Sequence, residues 1–192
     1  MWYFFRHGET IHNKFNVSQG RYNSCLSLKG IEQAKLFGNK IKNLENDYSH
    51  FKFLTSPMNR AKQTLNIVME ILELNPFEKM EEEFLLNDID FGDHNNTPNS
   101  IVWKNYYDDN RILFCKHPNG ETFNDVYDRM EKFLEKYNKE KYLIFSTHGC
   151  CFGILKHILT NGKRSEFTRN NLIQNQNNMI KYNKEENILE VI

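Results

Sequence analysis

The chain opens on five apolar residues, Met1-Trp2-Tyr3-Phe4-Phe5, that run without a spacer into Arg6-His7-Gly8-Glu9-Thr10. A short, continuous apolar run that ends abruptly in charge and glycine fits a buried strand of a parallel sheet. Such a strand must be covered on both sides, so the opening favours a mainly parallel sheet between layers of helices. It also sets a cation, an imidazole and a flexible glycine at the strand's carboxyl end, where ligand sites of open α/β sheets form. A lone histidine there closes a strand like any other polar residue. This one has companions downstream in Ser56-Pro57-Met58-Asn59-Arg60, Leu86-Asn87-Asp88-Ile89-Asp90 and Ser146-Thr147-His148-Gly149.

Strand and helix patterns alternate along the rest of the chain. Strands are predicted at Trp2 to Phe5, Phe51 to Thr55, Phe84 to Leu86 and Tyr142 to Thr147, with a terminal hairpin over 178–182 and 188–192. A helix is predicted after Ser27, with Ala34, Phe37, Ile41 and Leu44 three or four apart; Gly30 and Gly38 interrupt it and suit close packing. Ser56 and Pro57 read as the N-cap and first residue of the next helix, with Ala61, Leu65, Val68 and Leu72 as its apolar stripe and Arg60 in its first turn. Thr122 and Asp125 read as a capping box before Phe123, Val126, Met130, Phe133 and Tyr137, and a last apolar helix runs from about Gly149 to Leu159. Cys150 and Cys151 read there as core residues. Regularity fails between about 92 and 118, where Trp103, Tyr106, Tyr107 and Phe114 interleave with Lys104, Arg111 and Lys116. That stretch is expected to be a lid or insert, or else a short helix packing its aromatics on the core. The 192 residues suit a single domain.

Composition narrows the function classes. Lys and Arg number 25, as do Asp and Glu, so no net charge argues for nucleic acid or an anionic membrane as partner. No stretch nears the roughly 20 apolar residues that span a bilayer, and the opening apolar run is too short for a signal peptide. The four cysteines lack zinc spacing and read as reduced thiols. A soluble cytoplasmic protein is expected.

If the strands are parallel, His7 with Arg6, Arg60 and His148 all reach one rim of the sheet. Two guanidinium forks and two imidazoles suit a phosphoryl group, because planar donors match its oxygens bidentately. Phosphoryl transfer depends mainly on positioning and on stabilising the equatorial oxygens, so this inventory is sufficient. A histidine that attacks phosphorus must be neutral, which nearby arginines favour. The leaving oxygen then needs a proton from a carboxylic acid of raised pKa. Asp88 is the choice, with Asp90 in reserve, while Glu81-Glu82-Glu83 reads as a solvated face.

Taken in order, these segments resemble the signature of the histidine phosphatase superfamily, the phosphoglycerate mutase-like proteins. The likeness begins with Arg6-His7-Gly8-Glu9-Thr10 and Asn13, and runs through Gln19-Gly20-Arg21, Leu26-Ser27-Leu28-Lys29-Gly30 and Gln33-Ala34. It continues through Ser56-Pro57-Met58-Asn59-Arg60-Ala61 with Gln63-Thr64, Leu86-Asn87-Asp88-Ile89-Asp90-Phe91-Gly92, Pro118-Asn119-Gly120-Glu121-Thr122 and Thr147-His148-Gly149. The resemblance implies a three-layer α/β sandwich over 1–192. It implies that His7 becomes phosphohistidine, that Arg6, Asn13, Arg60 and His148 bind the phosphoryl group, and that Asp88 serves as acid and then base. It implies that Arg21 faces the substrate at the pocket mouth, that Glu121 is at most a support, and that hydrolysis needs no metal or organic cofactor. A homodimer is compatible with it.

Two departures stand out. The family more often carries glutamate where this chain has Asp88, and many members have Trp-Glu-Gly where His94-Asn95-Asn96 stands here. His94 and His117 are expected as solvent-exposed loop histidines. The leading expectation is a metal-independent phosphatase acting on a small phosphomonoester. The alternatives are a 2,3-bisphosphoglycerate-dependent phosphoglycerate mutase, for which Lys104, Arg111 and Lys116 would supply extra cations, and a non-catalytic module binding a phospho-ligand or phosphoprotein. A metal site on Asp88, Asp90, Asp93 and His94 is a further reading, though their spacing fits no known loop.

Overall fold

Four parallel strands form one side of a six-stranded sheet in a computed structural model that describes residues 1–103, 109–173 and 179–192. The strands are β1 (Trp2–Arg6), β2 (Lys52–Thr55), β3 (Met80–Glu82), β4 (Leu143–Thr147), β5 (Met179–Asn183) and β6 (Ile188–Val191), in the spatial order β3-β2-β4-β1-β5-β6. The first four in that order run parallel, and the β5–β6 hairpin adds antiparallel to β1. Side chains alternate across a strand, and β1 uses both faces. Trp2 and Phe4 join one core with Met130 and Phe133 of α3 (Phe123–Lys136) and Phe152 of α4 (Gly149–Leu159). Tyr3 and Phe5 join a second core with Phe37 and Ile41 of α1 (Leu28–Leu44) and Leu65 and Val68 of α2 (Asn59–Ile71). Each fully buried aromatic or aliphatic side chain is worth about 1.5–3 kcal/mol, so the unbroken opening run anchors both layers at once.

This layering sets the site. The chain leaves β1 for α1 on one face and leaves the neighbouring β4 for α4 on the other, so a crevice opens between their carboxyl ends. His7 follows β1 and His148 follows β4. Ser27 caps α1, its Oγ accepting from Gly30 N at 3.1 Å. The helix start sits tightly against the segment after β1: a Cβ on Gly30 would lie 2.0 Å from Glu9 O, and one on Gly8 would lie 2.3 Å from Gly30 O. Gly38 likewise faces Ile71 closely, so both interrupting glycines serve packing. The Thr122–Asp125 capping box forms as expected.

Three local expectations are corrected. Phe84–Leu86 is a 3-10 turn, and the edge strand is Met80–Glu82 instead. An edge strand pairs on one side only and tolerates charge, so Glu81 and Glu82 stay exposed. Glu83 is buried, however, and does not belong to a solvated face: it accepts from Tyr137 Oη (2.6 Å), Lys136 Nζ (2.6 Å) and Leu85 N (3.0 Å). These contacts outweigh the upward push of burial and hold its pKa below the ordinary glutamate value. The third correction concerns α2, which starts at Asn59 with Met58 as N-cap and no side-chain cap. The Ser56 hydroxyl accepts from Met58 N at 3.3 Å, one residue ahead of the helix, and also from His148 Nε2 at 2.8 Å.

The described residues of the stretch 92–118 form short elements. Thr97–Pro98 pairs with Val17–Ser18, a helical turn follows at Asn99–Val102, and Val102, Ile112 and Leu113 are buried. Lys104, Tyr106, Tyr107 and the side chain of Arg111 lie outside the described residues. Among the described residues no helix is long and apolar enough to cross a membrane.

Candidate active site

The crevice holds a cavity of about 430 Å³ whose wall includes Arg6, His7, Asn13, Asp88, Gly149 and Cys150. Behind His7 and Asp88 of that wall stands one arginine that is not itself on the wall. Arg60 is wholly buried, and all three of its nitrogens are engaged. Nε donates to His7 Nε2 and to His148 Nδ1, both at 3.2 Å. Nη1 donates to Tyr22 O (2.8 Å), while Nη2 donates to Gly20 O (2.7 Å) and Asp88 Oδ2 (2.8 Å).

The hydrogen bonds define the tautomers. A guanidinium only donates, so His7 Nε2 and His148 Nδ1 must be the unprotonated nitrogens. His7 then donates Nδ1–H to Gly8 O (2.8 Å), and His148 donates Nε2–H to Ser56 Oγ (2.8 Å). Ser56 Oγ in turn donates to Asn87 Oδ1 at 3.2 Å. Burial and then the Arg60 charge hold both imidazoles well below the ordinary histidine pKa, with Arg6 adding to the effect on each. The two rings are 5.2 Å apart between centroids, and Asp88 Oδ2 is 3.5 Å from His148 Nδ1. His7 therefore presents an unprotonated nitrogen that is held by its other ring nitrogen and bordered by cations.

Arg6 runs beside Gly149, where a Cβ would be 3.5 Å from its Cζ, and its buried Nε has no hydrogen-bond partner among the described residues. Asn13 caps the short turn Ile11–Lys14 with Thr10: its Oδ1 accepts from Thr10 N (3.1 Å) and Thr10 Oγ1 (3.0 Å). Arg6, His7, Asn13 and Asp88 thus line the cavity, and Arg60 and His148 stand behind them, bonded to His7 and Asp88 through Arg60. Arg21 does not share the cavity wall; its Nη2 pairs with Glu121 Oε2 at 3.3 Å. Farther out, the wall is formed by Ser18, Gln19, Phe91, Asn99, Trp103 and Arg169.

Three other expectations change. His117 is buried with its ring edge-on to Phe91, and its Nδ1 lies 2.8 Å from that of His94; burial, followed by His94, pushes its pKa down to about 4. It is not a solvent-exposed loop histidine, because the buried Phe91 carries it inward. The acidic residues offered as metal ligands face apart: Asp88 pairs with Arg60, Asp90 accepts from Gly92 N and Asn95, and Asp93 accepts from Asn119. Cys151 lies in the core, but Cys150 also borders the cavity.

Two contributors escaped the sequence reading. Ser56 was masked by its resemblance to a cap. Arg129 lies beneath the Asp88 segment, and its signal was present: it falls on the Val126, Met130 and Phe133 stripe of α3, where an arginine is out of place unless paired.

Comparison with known proteins places the chain in a family. The family model described as the histidine phosphatase superfamily (branch 1) matches residues 2–192. A Bacillus subtilis (strain 168) protein named as an uncharacterized phosphatase, PhoE, is 31% identical over 82% of this chain and 76% of its own length. A phosphoglycerate mutase of Schizosaccharomyces pombe is 31% identical over 65% of this chain and 60% of its own. Among solved structures, a putative alpha-ribazole-5'-P phosphatase from Escherichia coli superposes with a TM-score of 0.72 at 21% identity, covering 100% of this chain and 93% of that one.

Proposed function

This chain belongs to the histidine phosphatase superfamily, and we propose that it hydrolyses a small phosphomonoester through a phosphohistidine on His7. The single observation that carries the reading is the Arg60 Nε bridge, which holds two neutral imidazoles edge to face, with His7 on the cavity wall and His148 behind it. His7 Nε2 attacks phosphorus in line, and the N–P bond forms as the P–O ester bond breaks. Arg6, Arg60, Asn13 and His148 surround the equatorial oxygens, where preorganised donors are worth most. Asp88 gives its proton to the departing alkoxide. Water then attacks the phosphohistidine, Asp88 takes back a proton, and phosphate and neutral His7 are released. Splitting one displacement in two lowers the larger barrier.

Hydrolysis is preferred to mutase chemistry because a mutase must also hold a second phosphate. Of the three cations weighed for that task, Lys116 is exposed and absent from the cavity wall, while Lys104 and the side chain of Arg111 lie outside the described residues; beyond Arg6, Arg169 is the one cation among the described residues of the wall. The test is hydrolysis of 4-nitrophenyl phosphate in excess EDTA, comparing the protein with His7→Ala. Turnover that survives chelation and is lost in the variant is the expected result. An active His7→Ala protein would overturn it, and conversion of 3-phosphoglycerate only with 2,3-bisphosphoglycerate present would favour the mutase.

A further inference from the structure

The segment that carries Asp88 has no regular structure of its own, yet its backbone is tied at almost every residue. Thr147 Oγ1 donates to Leu86 O at 3.1 Å and Cys151 Sγ to Asn87 O at 3.0 Å. The largest share of these ties comes from one side chain on α3. Arg129 Nη1 donates to Leu85 O (2.8 Å) and to Asn87 O (2.9 Å), and Nη2 reaches Asp88 O at 3.4 Å. The same guanidinium is clasped by Glu121, with Nε to Oε1 at 3.0 Å and Nη2 to Oε2 at 3.1 Å. Glu121 Oε2 in turn accepts from Asp90 N at 2.8 Å. The pair therefore grips the backbone on both sides of the Asp88 Cα, and the carboxylate projects away from it toward Arg60.

We propose that Arg129, held by Glu121, is the positioning residue that sets the Asp88 carboxyl at its distance from the leaving oxygen; this inference rests on the phosphatase reading above. Arg129 does not line the cavity and touches none of the groups placed around phosphorus. Its planar fork meets carbonyls and a carboxylate in several directions at once, which a lysine ammonium does not reproduce. Precision matters more here than it would with glutamate, because a shorter acid has one fewer rotatable bond with which to correct a displaced backbone. Arg21 joins the same Glu121 oxygen and so belongs to this frame rather than to the cavity wall.

The test is a double-mutant cycle on two esters, 4-nitrophenyl phosphate and the phosphate ester of an aliphatic alcohol. General acid catalysis contributes about 10²–10⁴-fold and a 1 Å misplacement can cost about 10²-fold, so Arg129→Lys should lose about a hundredfold in kcat/KM on the aliphatic ester. On the nitrophenyl ester, whose leaving group departs without a proton, the loss should stay within about threefold. In an Asp88→Asn background, Arg129→Lys should cost nothing further on either ester, because it acts through Asp88. If Arg129→Lys does not fold, Glu121→Leu/Arg129→Met removes both buried charges together and should give the same pattern. Equal losses on both esters, or losses that multiply with Asp88→Asn, would show a merely structural arginine and overturn the inference. An Asp88→Asn protein with no leaving-group dependence would remove Asp88 as the acid and the inference with it. A wild-type protein that turned over neither ester would overturn the phosphatase reading itself.

Discussion

Acidification from pH 7 to pH 5 should destabilise this protein through His7 and His148 in a way that two substitutions can remove. Both rings are buried, at 4% and 0% exposure, and both are held well below the ordinary histidine pKa by burial and by Arg60. In the unfolded chain each titrates near 6.5. Because the folded value is depressed, the native state suffers no penalty above pH 6.5, and stability is lost as pH falls from there toward the folded value. While only the unfolded state takes up the proton, each histidine costs about 1.4 kcal/mol per pH unit. Integrated from pH 7 to 5, that is about 2 kcal/mol per ring and about 4 kcal/mol for the pair. The assay is urea unfolding at pH 7, 6 and 5, extrapolated to water, for the protein and for His7→Asn/His148→Asn. His117 and the ion-paired carboxylates contribute equally to both proteins and cancel in the difference. The wild-type protein should lose about 4 kcal/mol more than the variant over this range. PH dependences that agree within about 1 kcal/mol would mean that the native rings take up protons as readily as the unfolded ones, which would refute the tautomers and the neutral nucleophile built on them.

The same depression predicts that the acid limb of kcat/KM for 4-nitrophenyl phosphate falls below the ordinary imidazole pKa, since His7 Nε2 keeps its lone pair; a limb near 6.5 assigned to His7 would contradict this. Arg60→Met should cost about 3–5 kcal/mol of stability by leaving Asp88 without its cation, and should abolish phosphohistidine formation as read by acid-labile radiolabel from a phosphate ester. Gly30→Ala should destabilise by about 1–3 kcal/mol and reduce kcat, because its Cβ would stand 2.0 Å from Glu9 O and displace the segment after His7; unchanged melting and turnover would refute the packing argument. Thr122→Ala breaks the α3 capping box and should lower stability by about 1 kcal/mol with kcat unaltered, measured by thermal melting and steady-state kinetics.

Most of the helices and strands, and the convergence of Arg6, Arg60 and His148 on His7, were legible because they depend on local patterns. An unbroken apolar strand, a 3.6-residue stripe, a capping box and residues placed just past strand ends leave periodic or positional marks in the sequence. Two local readings failed where a tertiary partner outbid the local one. Ser56 looked like the N-cap, but the helix starts three residues later, and the hydroxyl accepts both from Met58 N and from the buried His148 Nε2–H. Glu83 looked solvated beside Glu81 and Glu82, but Tyr137 and Lys136 reach it from α3 across 54 and 53 residues.

The sequence by itself determined which chemistry-bearing residues stand at strand ends, and with them the α/β sandwich and the family. Only the tertiary structure decided how those residues are used. It put a single arginine between two imidazoles, and so chose which ring nitrogens are unprotonated. It turned Arg21 to Glu121, and it set Arg129 beneath the backbone of Asp88. The reason is physical: burial and periodicity are properties of a segment, whereas the pairing of a buried charge is a property of which distant segments meet there, and no window along the chain contains both partners.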